Sequence, residues 1–323
     1  MEKTIEQKSE SISDNINVIA VLHFKEMPVS IERVTIGLCN EVFDVKFKDR
    51  EVIVRLSQKD VFMKGSQKHI PILKERGINV PDILAEDYTK INIPYSYQFL
   101  SKLKGKDIGP IIEYLSDKEL EEIAKEIGGI IKIAKTIPAS EQCGYFYDEY
   151  SETTETWVDW IKKIIDIAME RGNKTGVMDD DMHSMLLEIS HDNENYFNQI
   201  KPTTYLDDIC SKNVMIDGGK FSGLVDLDCF AQGDYLESIG RMKASWPRTH
   251  YGEVYTNAVM NELKLNNEQR KVVTMYALLN RISWACENGI QFNQNTTGIV
   301  DQEREKKDKE IIDMLYNEFK YNQ

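Results

Sequence analysis

The chain is short of cysteine, of histidine and of long apolar runs, and each shortage excludes a class of protein. Its five cysteines (Cys39, Cys143, Cys210, Cys229 and Cys286) are scattered and form no CxxC pair. An odd, dispersed set argues against a disulfide framework and fits a reducing compartment. The five histidines are equally dispersed, with no HxxxH pair, which argues against zinc. The longest early apolar run, residues 16–24, is too short to span a bilayer and lacks a leader-peptide cleavage pattern. There is no internal repeat or low-complexity tract. The expected location is the cytoplasm, with no membrane partner. Positive charge is also scarce: 40 Lys and Arg stand against 54 Asp and Glu, for a formal net charge of -14. Such a chain is a poor general partner for nucleic acid and suits a cationic small molecule better.

What remains is an ordinary globular composition, 41% hydrophobic and 29% charged over 323 residues, enough for one large or two modest domains. After a polar lead-in to about residue 14, strand signals dominate the first hundred residues. EVFDVKF and EVIVRLS flank Lys48-Asp49-Arg50 as a hairpin, and INVPDILAED and IPYSYQFL read as further strands. One helix is expected in this part, over residues 63–76, ended by Gly77 and either kinked or delayed by Pro71. From about residue 102 helical spacing takes over. Ser116 and Glu119 form a capping-box candidate, and helices are expected near 157–172, 182–200, 236–246, 250–263, 267–287 and 302–320. The expected organisation is α+β, with a β-rich lobe over residues 1–100 and a mostly helical lobe over 101–323.

Only one segment interrupts the helices. Residues 205–234 bring Asp207, Asp208, Asn213, Asp226 and Asp228 around a predicted hairpin of NVMI and FSGLVDLD, turned at Gly218-Gly219. A turn centred on Gly219-Lys220 puts Asn213 across from Asp226; one centred on Gly218-Gly219 leaves them a diagonal apart. Like charges this close repel by roughly 4 kcal/mol per pair at an effective dielectric near 20. A hard cation relieves that repulsion, and oxygen-only ligands favour Mg²⁺. An acidic surface hairpin or a Ca²⁺ loop is the plainer alternative. Spacing adds specificity: Asp208 precedes Asn213 by five residues and Asn213 precedes Asp226 by thirteen. A base, a metal-binding amide and a metal-binding aspartate in that order is the kinase arrangement.

At these residues the chain resembles the aminoglycoside phosphotransferase and choline kinase-like family, whose fold is that of the two-lobed protein kinases. The family's HGDxxxxN, short hairpin, IDW/IDxE-like segment and GD pair read here as LDDICSKN, VDLD and Gly233-Asp234. The resemblance implies a kinase that uses ATP or GTP and Mg²⁺ on a small-molecule hydroxyl, as a monomer or homodimer. It implies Asp208 as the base that takes the hydroxyl proton, and Asn213, Asp226 and Asp228 as metal ligands. Gly37 and Asn40 would lie in the loop over the phosphates, and Arg55 in the place of the strand cation that grips them. The backbone of Phe99, Leu100 and Ser101 would meet the nucleotide base. Asp234 would accept hydrogen bonds from the catalytic loop. Acceptor-side candidates are Trp157, Asp159, Trp160, Trp246, His250 and Glu287.

The chain also departs from the family. Leu206 and Asp207 replace the usual His and Gly. The helix glutamate that partners the strand cation falls near Ser66 or Gln67, neither of them acidic, and Glu75 lies at the far end of the helix. Gln67 is the expected neutral substitute. These departures keep open a second reading, a nucleotide-binding pseudokinase with a regulatory role.

Overall fold

Ile12, Ile16, Ile19 and Ala20 recur at three- and four-residue intervals and form the buried face of a first helix, α1 (Ile5–Phe24). The computed structural model describes residues 5–35, 40–148, 151–292 and 296–321. α1 is a correction to the expected single helix of this lobe. The polar lead-in, expected as frayed or helical to about residue 14, is helical from Ile5, and the apolar run at 16–24 continues the same helix with Ile16, Ile19 and Ala20 buried and Val18, Val21 and Leu22 exposed. It covers a five-stranded antiparallel sheet made of β1 (Ser30–Val34), β2 (Glu41–Lys46), β3 (Glu51–Ser57), β4 (Ile83–Asp87) and β5 (Ser96–Ser101), in the order β1-β2-β3-β5-β4. Inward residues Phe43, Val45, Val52, Val54, Leu56, Tyr97 and Phe99 complete a first core with α1. Between β3 and β4 runs α2 (Val61–Glu75), which starts early and passes through Pro71 on its exposed side.

The second lobe begins with β6 (Lys106–Asp107) and α3 (Asp117–Ala134). α3 opens on the capping box of Ser116 and Glu119. β7 (Cys143–Phe146) and β8 (Ser151–Thr154) follow, then α4 (Trp157–Thr175), which ends on Gly176 in the left-handed region rather than at Gly172. The helix expected over 182–200 is broken into α5 (Asp180–Asp192) and α6 (Glu194–Phe197). β9 (Thr203–Tyr205), β10 (Val214–Asp217), β11 (Lys220–Leu224) and β12 (Phe230–Gly233) carry the acidic segment. Helices α7 (Leu236–Ser245), α8 (His250–Glu262), α9 (Asn267–Ala285) and α10 (Gln302–Tyr321) complete the lobe. Helices are thus interrupted by more than the acidic hairpin. β8-β7-β12-β9 form a small sheet of their own, and β6 joins β10 and β11. Strands of two to four residues carry too little periodicity to be read from sequence.

A second core fills this lobe and draws in Ile70 and Leu73 of α2 and Leu100 of β5, so α2 and the end of β5 tie the two lobes together. Among the described residues no helix is long and apolar enough to cross a membrane.

Because Ile16 is wholly buried, Ile16→Ala is expected to cost about 3 kcal/mol by urea unfolding. A loss under about 1 kcal/mol would show that α1 is an appendage rather than part of the first core.

Candidate active site

The acidic hairpin is set by its turn. Gly218 and Gly219 have φ of 56° and 75°, both positive as a two-residue hairpin turn requires. Asp217 pairs with Lys220 and Ile216 with Phe221. A bulge then shifts the register, so that Met215 faces Gly223 and Val214 faces Leu224. Beyond the ladder Val225 donates its N–H to the Asn213 carbonyl at 3.0 Å. Asn213 is therefore level with Val225, and neither expected pairing with Asp226 is realised. Asp226 follows in the left-handed region at φ 60°, where the chain leaves the ladder. Aspartate tolerates that conformation better than most side chains.

Asn213 is buried, and its amide nitrogen donates to the Asp208 backbone carbonyl at 2.8 Å. That commits Nδ2 and leaves Oδ1 as the atom able to ligate a cation. The Asp208 carboxylate is flanked by Lys212 at 3.7 Å and Arg241 at 3.7 Å, and accepts from Cys210 Sγ at 2.8 Å. Burial works against its charge, but Arg241 and Lys212 outweigh it and hold the pKa below the ordinary value. Asp207 moves the other way. Burial and the neighbouring Asp208 charge raise it, although Arg241 donates to it at 3.3 Å. Asp226 keeps 46% of its side chain exposed toward the cleft. Even so, water displaced by the dense protein around it and then the charge of Asp228 push its pKa up to about 6.

Arg55 projects from β3 into this cluster. Its guanidinium donates to Asp228 Oδ2, lies 3.5 Å from Asp226 and reaches Ser66 Oγ at 3.3 Å. Burial opposes its charge, and Asp228 and Asp226 more than restore it. Asn40 donates to Asp228 Oδ2 at 3.4 Å. Gly37 lies outside the described residues. The expected substitute Gln67 turns away from Arg55 and binds Glu86. Ser66 is the helix residue that meets the cation. The donor set fits a hard divalent ion: Asn213 Oδ1, the open Asp226 carboxylate, and Asp228 Oδ1, which is buried without a hydrogen-bond partner. Among the described residues no group of three or more His, Cys, Asp or Glu forms a metal cage, so such an ion would need oxygens from a bound phosphate as well.

A model of the phosphotransferase enzyme family matches residues 30–259. The chain belongs to this family. Similar solved structures include a thermostable mutant of aminoglycoside phosphotransferase APH(4)-Ia in ternary complex with AMP-PNP and hygromycin B, at 13% identity and TM-score 0.70, covering 95% of this chain and 99% of that one. A mutant aminoglycoside 2'-phosphotransferase-IIIa in complex with GDP is similar at 13% identity and TM-score 0.70, covering 96% and 100%. A putative fructosamine-3-kinase from Haemophilus somnus 129PT is similar at 14% identity and TM-score 0.64, covering 93% and 96%. Comparison with curated protein sequences gives no match. The likenesses establish the fold, that of the two-lobed small-molecule kinases, and family membership makes the chain a phosphotransferase.

Other expected positions of this phosphotransferase need correction. Phe99 is buried in the first core, its ring edge-on to Phe24, and Leu100 is buried in the second. Their strand lies between β3 and β4, so its backbone groups are used within the sheet, and the Ser101 N–H donates to Asp82. The nearest chain free of the sheet is 102–105. Asp234 takes no hydrogen bond from the catalytic loop. It accepts from Tyr196, from Tyr276 at 3.0 Å and from the Leu236 N–H at 3.1 Å. Trp157 belongs to the same buried network, donating to Tyr276 at 2.7 Å, and Trp160 packs edge-on against Tyr145. Asp159 caps α4 with Thr156, His250 bonds Asp117 on the surface, and Trp246 packs on Tyr255. Trp246 also lines a cavity of about 600 Å³, remote from Asp208, and Glu287 lines one of about 500 Å³ with Arg281, Trp284, Asp301, Glu303, Arg304, Lys307 and Asp308. Arg241 lies 5.8 Å over the Trp284 ring and so joins that cavity to Asp208.

Arg241 and Glu237 were not anticipated. Their sequence signal is two charged residues four apart, on a helix whose Leu236, Ile239 and Met242 are all buried. Glu237 accepts from Asn280 at 3.1 Å, and burial raises its pKa to about 7 from an ordinary 4.5. A raised carboxyl favours the fold below pH 4.5 and loses that contribution as pH climbs through 7. Glu237→Gln is therefore expected to gain stability over wild type by up to about 3 kcal/mol at pH 8 and little at pH 5. Urea unfolding at both pH values checks this; equal differences would contradict it.

Proposed function

We propose that the protein transfers the γ-phosphoryl group of ATP or GTP to a hydroxyl of a small molecule, with Mg²⁺ as metal. The observation that supports this best is the meeting of Asp208, Asn213, Asp226 and Asp228 with the buried Arg55 where the lobes join. Arg55 would grip phosphate oxygens with its fork of donors, with Asn40 beside it. The nucleotide base would meet chain just beyond Ser101, at residues 102–105. Asn213, Asp226 and Asp228 would hold the Mg²⁺, which when bound offsets the charge of the β- and γ-phosphates. Asp208, kept ionised by Arg241 and Lys212, would accept a hydrogen bond from the acceptor hydroxyl and then its proton. Its low basicity is no obstacle, because in a loose transition state the proton leaves late.

The acceptor would occupy the cavity at Trp284 and Glu287. Glu287, Asp301, Glu303 and Asp308 outnumber Arg281, Arg304 and Lys307 there by one, a small excess that favours an acceptor bearing an ammonium group, and Trp284 offers a ring face to a cation. Two structural relatives are an aminoglycoside phosphotransferase complexed with hygromycin B and a putative fructosamine-3-kinase. Aminoglycosides, amino alcohols and sugars are therefore the panel to try.

ADP release across that panel is expected for at least one acceptor. Thermal melting with ATP or GTP is expected to show a higher midpoint, with the larger rise when Mg²⁺ is present. A Mg²⁺-dependent midpoint without turnover of any acceptor would favour the non-enzymatic alternative, and no midpoint change would sink both. Asp208→Asn is expected to lower turnover by about 10³-fold or more while leaving nucleotide binding within a few-fold. A comparable loss of nucleotide affinity would show that Asp208 has a different role.

A further inference from the structure

The helix that faces Arg55 supplies no charge. α2 offers the neutral Ser66 hydroxyl at 3.3 Å, and Ser66 itself is tied to Gln98 at 3.1 Å and the Met63 carbonyl at 3.0 Å. Glu86 is a further hydrogen bond away, through Gln98 at 3.1 Å. Glu75 is the last residue of α2. The carboxylate in direct contact with the guanidinium comes instead from the segment after β11: Arg55 donates to Asp228 Oδ2, which is 12% exposed. Two small side chains permit this. A Cβ on Gly65 would overlap the Asp228 backbone carbonyl, and Ser66 leaves room for the Arg55 head beside it. Phe230, two residues on, stacks on His69 of the same helix at 4.0 Å. The helix is thus pressed onto the residues that carry the anchor.

We infer that Asp228 is a positioning residue that fixes Arg55 for the nucleotide phosphates, in place of a helix carboxylate, with Gly65 and Ser66 making the close approach possible. The pair joins β3 to the segment bearing Asp226 directly, so the cation and the metal-binding aspartate are placed together. Nucleotide binding then depends on Asp228 through Arg55, whether or not a metal is present.

The inference rests on the nucleotide reading above, and a double-mutant cycle on the full chain separates the two. ADP affinity is measured by calorimetry for wild type, Arg55→Gln, Asp228→Asn and the double variant, with Mg²⁺ and again in EDTA. Asp228→Asn is expected to weaken ADP about tenfold or more. In EDTA the double variant is expected to bind no more weakly than Arg55→Gln. Multiplying losses in EDTA, unchanged or tighter binding by Asp228→Asn, or a loss confined to Mg²⁺ conditions would overturn the assignment. Wild type that binds no ADP in either condition would instead sink the nucleotide reading. Adding Ser66→Asp to Asp228→Asn returns a carboxylate to the helix and is expected to recover most of the affinity. Failure to recover in a variant that melts as wild type does would also overturn the assignment. If that variant does not fold, the cycle decides alone.

Discussion

Crowded negative charge is the constraint around which this structure is arranged. Asp207, Asp208, Asp226 and Asp228 lie close together with Glu237 behind them, and among the described residues Arg55, Lys212 and Arg241 are the cations beside them. At about 4 kcal/mol per close like-charged pair, such a cluster is costly unless each member has a partner. The protein shares its cations accordingly. Arg241 serves Asp207 and Asp208, Lys212 serves Asp208, and Arg55 serves Asp228 and Asp226. Asp208 stays ionised while Asp207, Asp226 and Glu237 are pushed up, so neighbouring carboxyls of one kind acquire different roles.

This sharing explains how the chain departs from the sequence pattern of its family. Asp207, where a glycine is usual, is balanced by Arg241 from α7. Ser66, where a glutamate is expected, leaves Arg55 to be neutralised from the segment after β11. At both positions the changed charge is balanced by a counter-charge from another element.

The two-lobe fold was legible in the sequence because its longer elements carry strong periods. β2 and β3 flank a charged tip, α3 has its capping box, and α9 is capped by Asn266 and Gln269. The Gly218-Gly219 turn was legible because paired positive φ angles demand glycine. The register was not, since nothing in FSGLVDLD marks the bulge that moves Asn213 from opposite Leu224 to opposite Val225. α1 was legible only as a lead-in that could be frayed or helical, because its apolar residues lie on both sides of the helix, Val18, Val21 and Leu22 exposed beside the buried Ile16, Ile19 and Ala20. Phe99 and Leu100 were misplaced by one step: a strand enclosed on both sides cannot also offer its backbone to a ligand. Arg241 comes from an element that no spacing rule links to the catalytic loop, and only the packing of α7 reveals it.

The account stands or falls on a divalent ion held jointly by a nucleotide and the carboxylate after β11. Electron paramagnetic resonance of Mn²⁺, titrated with and without a non-hydrolysable ATP analogue, reads that directly. Wild type is expected to immobilise Mn²⁺ only with the analogue present, and Asp226→Asn to abolish this while keeping its fold. Equal Mn²⁺ capture by Asp226→Asn, or none by wild type even with the analogue saturating, would contradict the central claim.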